Sequence, residues 1–250
     1  MNRNFSTPAP PGDKMFPNKW PGEKLPHFQS IVEQCFCMSQ EISLQIMQAM
    51  EIGLGLPRHT LEDRCKPAAS EIRLNYYPEV EVAKLDNNLK RTWAHTDFGI
   101  ITLLFQDSTG GLELEDRRNP GTFIPVAPSD PNGPSEMVVN IADTFQRWAN
   151  DVIRAGLHRV ETPPALKSKK DGVCPNRYSC AFFFKADRNT SAGPLPHFVT
   201  AENPAKYDEI TALEFQNSRV EKLYSSHSVS NKDEPPKAAA GIRREVEVAS

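Results

Sequence analysis

The sequence RTWAHTDFGIITLLFQ, residues 91–106, joins two potential metal ligands to an apolar run of Ile, Thr, Leu and Phe. A β-strand directs residues two apart to the same face, so His95 and Asp97 are predicted to project together as neighbouring ligands of one ion. The match is weak by itself, because a chain with six histidines gives roughly 0.3 His-x-Asp pairs from composition alone. The alternative is a polar strand end without chemistry.

The bulk composition restricts the class of protein. The chain has 250 residues, 38% of them hydrophobic, and a formal net charge of −3, which gives no reason to expect nucleic acid or an anionic membrane as a partner. No apolar stretch approaches the roughly 20 residues of a membrane span, and the start, MNRNFSTPAPPGDK, lacks the apolar core of a signal peptide.

The five cysteines show no C-x-x-C spacing, so reduced thiols in a cytoplasmic protein are expected. The oligomeric state is left open.

The periodicity predicts one domain at 28–224 between an irregular, Pro-rich lead-in at 1–27 and a polar, disordered tail at 225–250. A helix is predicted at 28–53, where Gly53, Gly55 and Pro57 end it, and a second at about 211–224. The predicted buried face of the first helix consists of Ile31, Cys35, Met38, Ile42 and Ile46.

Between the two helices the pattern changes to short strands separated by turn residues, in a core at about 71–185. The predicted strands are 71–77, 81–85, 92–96, 99–106, 112–116, 122–127, 136–142, 156–161 and 177–184. Many short strands at regular spacing predict a mainly β fold with flanking helices. A double-stranded β-helix (a jelly roll, as in cupins) is one of the few such architectures.

A third ligand is suggested by His158, which lies in the β-compatible run GLHRV. Two His and one Asp would form a facial triad that leaves three positions of an octahedron open, as in non-haem Fe(II) oxygenases. A catalytic zinc site could use the same ligands, although the chain has no H-E-x-x-H sequence. A satisfied core histidine is the other interpretation of His158.

Two further pairs have the same two-residue spacing. Arg177 and Ser179 precede an apolar strand in NRYSCAFFF, where a guanidinium and a hydroxyl could hold a carboxylate. Asn75 and Tyr77 share a face in RLNYYP. The order Asn-x-Tyr, His-x-Asp, His, Arg-x-Ser is far more specific than any of its members.

With these motifs the chain resembles the iron(II)/2-oxoglutarate-dependent dioxygenases of the isopenicillin N synthase-like family, particularly its fungal branch. The resemblance covers roughly residues 16–224. The matching segments are FPNKWPGEKLPHF, GLGLP, RLNYYPEV, HTDFGIITLLFQDSTGGLELED, VVNIADTFQRWANDVIRAGLHRVETPP and PNRYSCAFFF.

The resemblance implies Fe(II) held by His95, Asp97 and His158, and 2-oxoglutarate bound through Arg177 and Ser179 with help from Asn75 and Tyr77. It also implies O2 as the oxidant, ascorbate as a stimulant, and oxidation, by default hydroxylation, of a small, fairly apolar molecule in fungal secondary metabolism. Ala181 and Phe183 share the face of Arg177 and are expected to line the pocket. Phe105, Phe145 and Trp148 are further candidates for its wall.

Two alternatives stay open at this point. Isopenicillin N synthase itself uses its Arg-x-Ser pair for the substrate and needs no 2-oxoglutarate. In addition, the chain lacks the N-terminal region with which family members usually begin, so an inactive scaffold or interaction protein is the third interpretation.

Overall fold

A computed structural model of the chain describes residues 18–85, 90–169 and 171–228, with side chains as far as residue 222. Most of the predicted lead-in and tail therefore lies outside the described residues. The helices are α1 (Phe28–Leu54), α2 (Asp143–Trp148) and α3 (Ala212–Ser228). The strands are β1 (Glu71–Tyr77), β2 (Val80–Glu81), β3 (Thr92–His95), β4 (Ile101–Gln106), β5 (Leu112–Glu115), β6 (Phe123–Pro125), β7 (Val138–Ile141), β8 (His158–Val160), β9 (Val173–Cys174) and β10 (Arg177–Phe184).

The strands form two four-stranded antiparallel sheets, which confirms the predicted jelly roll. The larger sheet has the order β1-β10-β4-β7 and the smaller the order β3-β8-β5-β6, while β2 and β9 pair separately. Each sheet places sequence-distant strands side by side, as Greek-key connections require. Side chains from both sheets line one cavity between them.

Helix α1 covers the outer face of the larger sheet, where Phe36 meets Phe182 edge to face with ring centroids 5.2 Å apart. The buried residues of α1 are spaced four apart, at Ser39, Ser43, Met47 and Glu51. The prediction of an apolar buried face is therefore wrong in part. Ile31 and Met38 are 63% and 44% exposed, whereas Ile42 and Ile46 do pack against the core. The small serines account for the difference, because they allow the helix axis to approach the sheet while the Ser43 hydroxyl donates to the Ser39 carbonyl.

One local prediction is wrong, and two short elements were not predicted. The predicted strand at 81–85 is mostly a 3₁₀ turn, Val82–Lys84, and neither α2 nor β9 was predicted. Helix α2 has only six residues, fewer than a periodicity window needs to register a helix. None of the described helices is long and apolar enough to cross a lipid bilayer.

Candidate metal centre and its cavity

Strands β3 and β8 are neighbours in the smaller sheet, and their register sets His95 directly opposite His158. The two imidazole rings lie 4.3 Å apart between centroids. Oδ1 of Asp97 is 3.7 Å from Nε2 of His95 and 3.9 Å from Nε2 of His158. The three predicted ligands therefore converge, and they form a group that could hold one metal ion.

Both imidazoles present the nitrogen that a metal needs. Nδ1 of His95 donates to the Trp93 carbonyl at 2.8 Å, and Nδ1 of His158 donates to the Gly156 carbonyl at 3.0 Å. Because a carbonyl only accepts, each ring carries its proton on Nδ1 and leaves the Nε2 lone pair free for a metal. Burial, and next the adjacent His158, lower the pKa of His95, which favours the neutral form that binds metals.

The prediction that His95 and Asp97 lie two apart on one strand and face the same way holds only in part. Strand β3 ends at His95, and Asp97 lies in the turn that follows it. Within β3 the register shifts by one residue between Thr92 and His95, which marks a β-bulge. Both residues line the cavity although they are three apart, and in a regular strand they would face opposite ways. The bulge thus directs the His95 side chain toward Asp97 and His158, in the candidate metal centre.

Two residues that were not predicted position the Asp97 carboxylate, which is only 7% exposed. Oδ2 accepts hydrogen bonds from the Thr102 hydroxyl at 2.7 Å and from the Asn140 amide at 3.3 Å. Oδ1 is left to face the two Nε2 atoms. The donor set is therefore two neutral imidazoles and one carboxylate oxygen, which fits a divalent ion with open coordination positions.

Arg177 lies at one end of the cavity and is 1% exposed. Its Nη2 donates to Oε1 of Gln106 at 3.0 Å and its Nη1 to the Ser179 hydroxyl at 3.4 Å, while its guanidinium lies 5.1 Å from the Tyr77 ring centroid. Among the described residues, no carboxylate pairs with it, and its buried Nε has no hydrogen-bond partner. Burial lowers its pKa. A buried, unpaired cation of this kind favours an anionic ligand.

The other predicted residues at this end lie beside Arg177. In the pairing of β1 with β10, Asn75 is opposite Ser179 and Tyr77 is opposite Arg177. The Asn75 amide donates to the Ser179 hydroxyl at 3.3 Å, and the Tyr77 hydroxyl accepts from Thr92 at 3.3 Å. One patch thus contains all four residues predicted to bind the co-substrate.

The remaining wall of the cavity is largely apolar. Ala181 and Phe183 line it as expected, together with Leu104, Leu112, Leu114, Val126, Val138 and Val160. Phe105, Phe145 and Trp148 were candidates either for the cavity wall or for the core, and the structure places them in the core or against it. Phe145 and Trp148 are fully buried in the core beside α2, and Phe105 faces the core because it is one residue out of phase with Leu104 on β4.

The sequence and structure are similar to those of known oxygenases. A family model described as "2OG-Fe(II) oxygenase superfamily" matches residues 69–186. The 2-oxoglutarate-dependent dioxygenase imqE of Aspergillus flavus is 48% identical over 88% of this chain and 60% of its own length. The corresponding values for the 2-oxoglutarate-dependent dioxygenase phqC of Penicillium fellutanum are 45%, 89% and 63%. The chain thus spans about 60% of the length of these curated relatives.

Among solved structures, full-length T7H of Neurospora crassa in complex with alpha-KG superimposes with a TM-score of 0.75 at 32% identity. The match covers 85% of this chain and 63% of that one. A second crystal structure of that protein contains alpha-KG and thymine, and it gives the same TM-score. The similarity thus extends to a protein that was crystallised with alpha-KG.

Proposed function

The chain belongs to the 2OG-Fe(II) oxygenase superfamily, and on that premise we propose that it is an Fe(II)- and 2-oxoglutarate-dependent dioxygenase. It oxidises a small, largely apolar molecule in fungal secondary metabolism, with O2 as oxidant and ascorbate as stimulant. The observation that carries the proposal is the buried Arg177, which forms no salt bridge with the described residues and lines the same cavity as the His95, Asp97 and His158 cluster. A candidate site for an anionic group and a candidate site for a metal thus share one cavity.

One group of side chains would bind the metal and another would bind the co-substrate. His95 and His158 would offer Nε2, and Asp97 would offer Oδ1, on one side of the iron. Arg177 would pair with the distal carboxylate of 2-oxoglutarate, and Ser179, held by Asn75, would donate to the same group. Bound iron supplies the activation of O2 that couples decarboxylation of 2-oxoglutarate to succinate with oxidation of the substrate.

The apolar wall limits the access of water to the reacting centre. Leu104, Val138 and Phe183 line the cavity with hydrocarbon, which excludes water from the oxidant and favours an apolar substrate body. One molecule each of 2-oxoglutarate, O2 and substrate would give succinate, CO2 and, by default, the alcohol.

The first test is anaerobic titration of the purified protein with Fe(II) and 2-oxoglutarate. The complex is expected to show a visible charge-transfer absorption between Fe(II) and bound 2-oxoglutarate. His158→Ala should abolish the band, whereas His197→Ala should retain it, since His197 is exposed and does not line the cavity. Absence of the band in the wild type would favour the inactive scaffold.

The second test separates the dioxygenase from an oxidase that uses Arg177 and Ser179 for its substrate. Replacing Arg177 by Gln should weaken binding of 2-oxoglutarate by about 10-fold to 100-fold, because charge-assisted hydrogen bonds contribute about 1.5–3 kcal/mol.

The product assay uses the wild type, in which succinate should accumulate under O2 with Fe(II) and ascorbate. An oxidase would consume O2 with substrate but form no succinate.

We also propose a cytoplasmic location. All five cysteines are free, and free thiols suit a reducing compartment. Cell fractionation tests this point.

A further inference from the structure

A second arginine faces the same cavity from the other end of strand β1. Along β1, residues Arg73, Asn75 and Tyr77 alternate onto the inner face, and Arg73 pairs with Ala181 on β10. Arg73 and Arg177 thus lie four register positions apart, which is about 13 Å at 3.3 Å per residue. The cavity therefore has one guanidinium at each end, and the co-substrate accounts for only one of them.

Arg73 differs from Arg177 in its exposure and its partners. Its side chain is 60% exposed, which places it at the mouth of the cavity. Its Nη2 donates to Oε1 of Glu71 at 2.8 Å, and its guanidinium lies 5.0 Å from the Phe183 ring centroid. Among the described residues, Glu71 is the only acceptor that it contacts. Most of its five N–H donors therefore remain available to a ligand.

The local charge balance leaves the mouth of the cavity positive. Lys185 also pairs with Glu71, at 2.8 Å from Oε2, so one carboxylate serves two cations. Deeper in the cavity, Asp97 and a bound 2-oxoglutarate together offset the charges of a divalent ion and Arg177. A ligand that carries one negative charge would thus complete the balance at Arg73.

The position of Arg73 also suits a substrate of the metal centre. Arg73 lines the same cavity as His95, Asp97 and His158. A molecule anchored at Arg73, with its hydrocarbon on Phe183 and the apolar wall, would lie across the open face of the metal site.

We propose that Arg73 binds a carboxylate of the substrate, so that the enzyme acts on small acids with an apolar body. The planar guanidinium would hold the carboxylate by two parallel hydrogen bonds, with Phe183 packed against it. This inference rests on the proposed dioxygenase function, and it adds an acidic anchor to the apolar substrate described above.

The test uses matched acids and amides as probes of the anaerobic protein loaded with Fe(II) and saturating 2-oxoglutarate. The probes are hexanoate, 3-phenylpropanoate and cyclohexanecarboxylate, each compared with its amide. Binding beside the co-substrate should shift the charge-transfer band, whereas displacement of 2-oxoglutarate would bleach it. The wild type should bind at least one acid roughly tenfold more tightly than its amide.

Three variants connect this preference to Arg73. In Arg73→Gln the acid and the amide should bind equally while the affinity for 2-oxoglutarate is unchanged, and in Arg73→Lys part of the preference should return. Lys185→Gln removes the same charge from a residue that does not line the cavity, and it should keep most of the preference. Because Arg73 is exposed, its variants are expected to fold.

The outcomes separate the two proposals. The inference is overturned if no acid binds more tightly than its amide to the wild type, or if Arg73→Gln keeps the preference. Failure of the charge-transfer band to form at all would instead contradict the dioxygenase function.

Discussion

At the scale of single residues, the two carboxylate oxygens of Asp97 have different partners in the candidate metal site. Oδ2 is occupied by the Thr102 hydroxyl and the Asn140 amide, so Oδ1 alone faces the imidazoles. The candidate ligands could be predicted because the ordered set Asn-x-Tyr, His-x-Asp, His, Arg-x-Ser is far more specific than any of its members. Thr102 and Asn140 could not, since Thr is an ordinary strand residue and their partner appears only after folding. The only signal is a polar residue inside GIITLLF and another inside VVNIA.

Thr102 supports a prediction with a matched pair of variants. Thr102→Val keeps the shape but removes the hydroxyl, and it should weaken Fe(II) binding by about 10-fold to 100-fold, as loss of outer-shell hydrogen bonds commonly does. Thr102→Ser keeps the hydroxyl and should stay close to wild type. Anaerobic Fe(II) titration by calorimetry measures the affinities. Equal weakening in both variants would assign the effect to packing instead.

At the scale of elements, a buried carboxylate on α1 organises the chain that leads to β1. Glu51 is 3% exposed. Its Oε1 accepts from the backbone N–H groups of Leu61 and Glu62 at 2.7 and 3.0 Å, and its Oε2 accepts from that of His59 at 2.9 Å. The helix itself could be predicted from its long periodicity. The buried role of Glu51 could not, because a glutamate near a helix end ordinarily faces solvent.

Replacing Glu51 by Gln tests this anchor. The amide turns one acceptor into a donor that faces a backbone N–H, so at least one buried group loses its partner. We expect the free energy of unfolding to fall by about 1–3 kcal/mol. Urea denaturation measures the change, and Glu41→Gln on the exposed side of α1 should alter it by less than about 0.5 kcal/mol. An unchanged denaturation midpoint in Glu51→Gln would show that the anchor is dispensable.

At the scale of the whole molecule, each sheet supplies one part of the candidate site. The two histidines come from β3 and β8 of the smaller sheet, whereas Arg177 and Ser179 come from β10 of the larger sheet. The architecture could be predicted because the two-residue hydrophobic alternation of strands, and the turn residues between them, can be recognised directly in the sequence. The position of each aromatic could not be predicted, since a Phe in a helix or strand can face the core, as Phe145 does, or the cavity, as Phe183 does.

This division predicts that metal and co-substrate stabilise the fold together. With Mn(II) as a redox-stable substitute, Mn(II) plus 2-oxoglutarate should raise the Tm by more than the two separate increments combined, because the two ligands together would engage residues of both sheets. A ligand at 100 times its Kd adds about 2.7 kcal/mol of stability. Scanning fluorimetry measures the Tm, and Arg177→Gln should retain only the metal increment. Strictly additive increments would contradict the coupling.

The bulge in β3 has a consequence for how such a site can be lost. Because it reverses the alternation between Thr92 and His95, deletion of Trp93 or Ala94 would restore a regular strand and turn one of those two side chains away from the cavity. A single codon deletion at this point would thus displace one side chain of the proposed site and leave all three candidate ligands in the sequence. A search for intact motifs would miss this change, whereas the spacing between Thr92 and His95 would reveal it.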